Sequence, residues 1–223
     1  MSATVTRRET ARALLDTHGQ TYAAQAGIRL RDTPQPLYQL LVLACLLSAR
    51  IRASVAVDAA HELFEADLRT PRRMQDATWQ RRVDALGAGH YRRYDESTST
   101  TLGKGAAFVR ERYGGDLRRL REEAAGDPGR MRDLLQELPG IGPAGADIFL
   151  REVQGVWPEL EPYLDGKAAQ GARRLGLPTS AGELAKLVTA PELAVFAAAL
   201  VRAALDRSVV DDVRKRTGAA APA

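Results

Sequence analysis

Apolar residues recur at intervals of three and four along most of this chain, the period of helices that bury one face. The pattern predicts a polar helix over residues 4–18, a break at Thr33-Pro34-Gln35-Pro36, an apolar helix over 37–49 and another over about 54–65. Thr70-Pro71 and Thr78 carry the chemistry of N-caps and predict two short helices. Gly87-Ala88-Gly89 reads as a loop, and residues 96–113 as a longer helix weakened by Gly103 and Gly105. Asp127-Pro128 starts a further helix, and Gly155 to Pro162 is a loop holding Trp157. A helix follows over 165–175. Ser180…Glu183 and Thr189…Glu192 are capping-box patterns that open helices over 181–188 and 191–206. From about 208 the chain reads as a flexible tail ending Gly-Ala-Ala-Ala-Pro-Ala. No internal repeat or coiled-coil heptad interrupts this all-α reading.

Composition agrees. Aromatics are only 5% of the 223 residues, aliphatics and alanine dominate, and no β-type alternation is visible. The net charge is +4, and the excess is local: Arg69 to Arg132 holds 15 Lys/Arg against 9 Asp/Glu, the remainder 17 against 19. A basic middle suits a polyanion, although pairs such as Arg72-Arg73, Arg81-Arg82 and Arg118-Arg119 read equally as solvated helix faces. Cys45 is the only cysteine and lies in an apolar helix, so it reads as a small core residue. Neither a signal-peptide pattern nor a membrane-length apolar run is present, which makes a cytoplasmic protein without membrane contact the expectation. A monomer is the default.

The segment with most chemical content is Leu138-Pro139-Gly140-Ile141-Gly142-Pro143-Ala144-Gly145-Ala146. Met131 to Leu138 has helical apolar spacing and Pro139-Gly140 stops it. Gly140 and Gly142 allow positive φ on both sides of Ile141, which anchors the turn. Pro143 suits a first helical turn, and Ala146, Ile148, Phe149 and Val153 give the next helix an apolar face. The product is a helix N-terminus with bare amides and little bulk, where a DNA phosphate can sit.

This string, with Asp165 downstream, resembles the helix-hairpin-helix element and catalytic aspartate of the DNA glycosylases related to endonuclease III. The resemblance covers roughly residues 33–206. Leu46-Leu47-Ser48-Ala49-Arg50 resembles the end of the family's first lobe helix, typically Leu-Leu-Ser-Ala-Gln; Leu86-Gly87-Ala88-Gly89-His90-Tyr91 resembles its DNA-intercalating loop; Arg174-Leu175-Gly176 resembles its Arg-Leu-Gly run. The resemblance implies two helical lobes flanking a cleft. One lobe would be 33–137. The hairpin would span 131–153. The other lobe would be 154–207, with an N-terminal helix in 1–32 packed on it and a tail over 208–223.

It also implies roles. Gly140, Ile141, Gly142, Ala144 and Gly145 would contact duplex DNA. So would Arg50, entering the space left by a flipped base, and His90, Tyr91 and Arg92, near the intercalating position. The residues themselves also read otherwise: Arg50 as a surface arginine at a helix end, the tyrosines as core-edge aromatics. Asp165 would stabilise the oxocarbenium-like state of glycosidic cleavage or orient water; as the first residue of a helix it equally fits an N-cap. Trp79 and Trp157 read as core, and His18 and His61 as structural.

Departures from the family sharpen the expectation. Bifunctional members carry a lysine two residues after Gly-x-Gly, and here that position is Ala144, which cannot form a Schiff base. Lys167 stands at the family's histidine position and reads as an exposed lysine. Many relatives hold a four-iron cluster on four cysteines, so with Cys45 alone no metal and no cofactor are expected. Gly166-Lys167 replaces the usual Thr-His, and the loop before Asp165 is a few residues longer than in relatives. The reading that follows is a monofunctional base-excision glycosylase. Its alternative is a non-catalytic helix-hairpin-helix protein that recognises lesions or DNA structure.

Overall fold

The computed structural model describes residues 6–218, which form α-helices and two short 3₁₀ turns and contain no β-strand. In chain order, α1 (Arg7–His18) is followed by α2 (Tyr22–Gln25), α3 (Pro34–Leu47), α4 (Ala53–Glu65), α5 (Pro71–Asp76), α6 (Trp79–Ala88), α7 (Asp95–Tyr113), α8 (Arg118–Glu123), α9 (Pro128–Gln136) and α10 (Pro143–Val153). Then come α11 (Gly166–Arg174), α12 (Ala181–Ala185), α13 (Leu193–Leu205) and α14 (Arg207–Thr217). They divide into two compact units. The larger is Tyr22–Val156; the smaller combines the chain up to Thr21 with the chain from Trp157 onward. No helix among the described residues is long and apolar enough to cross a membrane.

The larger unit is built around α3. Its unbroken run Leu40-Leu41-Val42-Leu43-Ala44 is buried on all sides, as expected of a helix apolar all round. α4 packs on one flank and α10 on another. Helices α5 to α7 are knitted together by Arg82, which is only 8% exposed. Its guanidinium donates to the carbonyls of Met74 (2.9 Å), Ala77 (2.7 Å) and Ser99 (2.9 Å), three acceptors that match its planar fork. Gly103 makes room for it, since a Cβ there would stand 3.0 Å from Arg82 Nη2. The Arg81-Arg82 pair is therefore half surface and half core, because Arg81 reaches the Ala66 carbonyl at the exposed edge.

Residues 22–32, expected to belong with the N-terminal helix, sit in the larger unit. The buried Glu152 carboxylate of α10 accepts the amides of Tyr22 (3.1 Å) and Ala23 (2.9 Å), and Arg121 pairs with Asp32 at 2.9 Å. The hairpin likewise lies wholly within this unit, beyond the expected boundary at 137.

In the smaller unit α13, apolar almost throughout, is the core helix, and α1, α11 and α14 pack on it. Gly171 lets α11 approach: a Cβ there would stand 2.7 Å from the Leu200 carbonyl carbon. The capping chemistry forms as its sequence predicts. Glu192 accepts the Thr189 amide at 2.9 Å, Ser180 accepts the Glu183 amide at 3.4 Å, and Thr6 and Glu9 close a further box on α1. The expected tail is corrected over most of its length. Residues 207–217 form α14, capped by Asp206, with Val209, Val210 and Val213 buried; α14 also packs against α1. Its three valines recur at helical spacing, a signal hidden by the charged residues between them. The last part of the expected tail, 219–223, lies outside the described residues.

Candidate nucleic-acid interface

The turn between α9 and α10 follows from its residues. Asp127 caps α9 by accepting the Arg130 amide. After α9, Leu138 and Ile141 are buried, and the Ile141 amide donates to the Leu138 carbonyl at 3.0 Å. Pro139 and Gly140 occupy the central positions, and Gly140 has φ +87°, the pattern of a type II turn. Gly142 behaves otherwise than expected. Its φ of −91° and ψ of −172° are ordinary extended backbone, so only the first glycine is required by conformation.

What Gly142 contributes is openness. A Cβ there would meet nothing within 4 Å, and no side chain caps α10. Gly142, Pro143 and Ala144 are exposed, leaving the positive end of an eleven-residue helix facing solvent. Gly145, in contrast, is buried; its Cα side faces Ile141 and Ser48, so it packs the turn against the end of α3. Arg132 and Asp147 tie α9 to α10 at 2.8 Å.

The end of α3 leads to the second feature. Ser48 donates its hydroxyl to the Cys45 carbonyl (2.7 Å), the helix stops, and Ala49 to Arg52 cross to α4. Facing them is the loop after α6. Gly89 lies hard against α4, where a Cβ would stand 2.5 Å from the Ala59 amide nitrogen. His90 then takes φ +62° and is exposed, and Tyr91 turns inward. Arg50, Ile51, Arg52, Val55, His90 and Tyr91, with Arg92 and Arg93, surround a groove of about 490 Å³. Arg50, Arg52 and Arg92 are exposed and have no ion-pair partner among the described residues, in contrast to most arginines of the basic middle. Arg112, Arg118, Arg121, Arg130 and Arg132, for example, each face a carboxylate.

Of the residues expected to touch DNA, Arg50, His90 and Arg92 thus share one groove. Tyr91 is corrected: it is 2% exposed, accepts the Thr98 hydroxyl at 3.2 Å, and forms floor and core rather than a protruding wedge; burial raises its phenol above the ordinary value. Arg52 was not expected in a site, whereas Arg93 lies in the run His90-Tyr91-Arg92-Arg93-Tyr94, whose interleaved aromatics and arginines suit base stacking and phosphate contact. The signal for Arg52 is the spacing of two arginine pairs flanking the helix ends, Arg50/Arg52 and Arg92/Arg93. Trp157 is fully buried as expected, but Trp79 is 41% exposed and belongs to the surface.

Asp165 sits in the smaller unit, half-buried, as the N-cap of α11; its Oδ1 accepts the Ala168 amide at 2.8 Å. Lys167 is exposed and donates to Gln170 at 3.0 Å. Arg174 braces the same helix against α13 through the Ala203 carbonyl at 3.3 Å.

Two solved structures share this arrangement of helices. A trapped endonuclease III–DNA covalent intermediate, an estranged-adenine complex, matches with a TM-score of 0.52 at 19% identity, over 87% of this chain and 83% of that one. A non-covalent endonuclease III–DNA complex matches with a TM-score of 0.53 at 18% identity, over 86% and 81%. The fold is that of endonuclease III. At this identity the likeness carries the fold alone. No family profile matches the sequence, and no curated protein does.

The endonuclease III-like fold often comes with a four-iron cluster, and the residues here do not fit one. Its ligands are four thiolates, whereas the sole thiol is Cys45, pushed up to about 11 by burial and packed beneath Gly140. Among the described residues no group of three or more His, Cys, Asp or Glu is placed to hold a metal ion.

Proposed function

We propose that this chain is a monofunctional DNA glycosylase: it binds duplex DNA, turns out a damaged or mismatched base and hydrolyses its N-glycosidic bond. The observation that carries the reading is the open, uncapped N-terminus of α10, in the same unit as a groove rimmed by unpaired arginines. The two solved structures of like fold reported above are endonuclease III bound to DNA, which favours DNA as the polyanion.

In this reading a backbone phosphate rests on the amides of Ala144 and Gly145, with Gly142 leaving the approach clear. Arg50 and Arg92 grip the strand across the groove, and the exposed His90 is the side chain offered to the base stack. These contacts offset the few kcal/mol needed to extrude a base. Asp165 supplies a carboxylate whose orientation is fixed by its capping bond to Ala168. Negative charge held against the deoxyribose stabilises the developing oxocarbenium ion, and water completes hydrolysis. Ala144 offers no amine, so the sugar is left as an abasic site rather than cleaved through a Schiff base.

One observation favours a second reading, a DNA-binding protein without catalysis: Asp165 already has a structural duty as a cap. Binding and excision measured together on Asp165→Asn separate the two. Loss of excision with binding retained supports the glycosylase. Absence of excision in the unsubstituted protein on every lesion supports the binder.

A further inference from the structure

The groove described above does not end at Arg93. Arg92 and Arg93 also line a second depression of about 620 Å³, completed by Trp79, Tyr94, Asp95, Glu96, Ser97 and Thr100. Trp79 is one of only two large apolar side chains exposed among the described residues. Its ring is not loose. The indole N–H donates to the Thr100 hydroxyl at 3.2 Å, and the Trp79 carbonyl accepts the Ser99 hydroxyl at 2.9 Å. Ser99 is in turn held by the buried Arg82. Beside it, the Arg93 guanidinium lies over the Tyr94 ring, 5.2 Å from its centroid. An anchored indole, a cation-covered phenol and two arginines without carboxylate partners among the described residues stand along one continuous surface.

We propose that this second depression binds unpaired nucleotides of single-stranded DNA adjoining the duplex held in the first groove; the choice of DNA as the polymer rests on the proposed function. The indole face stacks on a base, and Arg92 and Arg93 hold the phosphates on either side of it. The acidic wall decides between paired and unpaired DNA. Asp95 and Glu96 repel phosphates, the groups a duplex turns outward, but accept hydrogen bonds from the imino N–H groups of thymine and guanine, which base pairing occupies in a duplex and an unpaired strand leaves open. Because Arg92 and Arg93 border both depressions, a strand can pass from one to the other without a break in its phosphate contacts.

The test compares a blunt duplex with the same duplex carrying a single-stranded oligothymidine extension of about 8 nucleotides, a length within the site size of a small single-strand site. Binding is read by anisotropy and by tryptophan fluorescence. Trp157 is fully buried, so quenching by DNA reports on Trp79. The extension should tighten binding about tenfold and quench fluorescence; Trp79→Ala should remove that gain and leave blunt-duplex affinity unchanged. Thr100→Val, which frees the indole without removing it, should give an intermediate loss and guards against misfolding of the alanine variant. No gain from the extension, or a gain that survives both substitutions, overturns the proposal. The duplex reading is tested apart from it by Gly142→Asp. If that variant binds blunt duplex normally while the extension still acts through Trp79, the hairpin reading fails and the single-strand site stands.

Discussion

Gly140 carries its backbone directly over the Cys45 side chain; a Cβ there would stand 2.9 Å from Cys45 Sγ. With φ at +87° the position also disfavours any L side chain. Gly140→Ala should therefore lose about 1–2 kcal/mol from the left-handed conformation alone, plus the cost of displacing the thiol. Gly142→Asp should behave in the opposite way. Its backbone is extended and its surroundings open, so aspartate can cap α10 and leave stability unchanged or raised. Its carboxylate should nevertheless weaken DNA binding by occupying the phosphate position. Thermal melts and binding titrations on the two variants check the contrast; equal behaviour would contradict the division of labour between the glycines.

Asp165 invites a similar separation. Asparagine caps helices as well as aspartate does, whereas alanine costs about 1 kcal/mol. Asp165→Asn should melt like the parent and Asp165→Ala somewhat lower, with excision abolished in both. Excision that survives in Asp165→Asn would assign this residue to structure only.

How much of this was legible in the sequence differs by element. The helical period placed α3, α4, α7 and α13 to within a few residues, because each buries an apolar face too long to be a strand. The caps at Thr70, Thr78, Asp127 and Asp165 were legible because a short polar side chain before a helix has one common use. α14 was missed because Arg207, Asp211, Asp212 and the Arg214-Lys215-Arg216 run mask three valines. Trp79 was assigned to the wrong side of the surface, and Tyr91 was left with two readings, DNA contact and core-edge aromatic, of which its burial fits the second. An aromatic beside arginines looks the same whether it lines a groove or floors one, and only the turn at His90 and the Thr100 anchor decide it. Arg82 was indistinguishable from Arg81 because both acceptor carbonyls and burial are properties of the fold.

Arg82→Met should cost about 3 kcal/mol, since three carbonyls lose their donor while remaining at a buried site. Arg82→Lys should rescue only part, as an ammonium cannot span the same acceptors. A denaturant melt decides it; a change within about 0.5 kcal/mol would show the network to be dispensable.

The smaller unit should be acid-sensitive. Glu9, Glu192 and Asp206 each have a pKa held below the ordinary value. The leading causes are the Thr6 amide for Glu9, the Thr189 amide for Glu192 and the Ser208 hydroxyl for Asp206. A depressed folded-state pKa contributes stability above the unfolded value and loses it as pH falls through the folded one. Melting temperature should accordingly hold near neutrality and drop once pH falls below the ordinary values of 4.5 for Glu9 and Glu192 and 3.8 for Asp206. Glu9→Gln with Glu192→Gln should flatten that limb; an unchanged acid limb would place the sensitivity elsewhere.

Base excision without strand cleavage is read by an excision assay on end-labelled duplexes. These carry uracil, oxidised pyrimidines, 8-oxoguanine, alkylated purines, adenine mismatches or an abasic site, and each is read with and without hot alkali beside Asp165→Asn. Strand breaks should appear on at least one lesion only after alkali and vanish in the variant. Breaks without alkali would contradict the reading of Ala144, and tight binding with no breaks on any lesion would contradict the glycosylase itself.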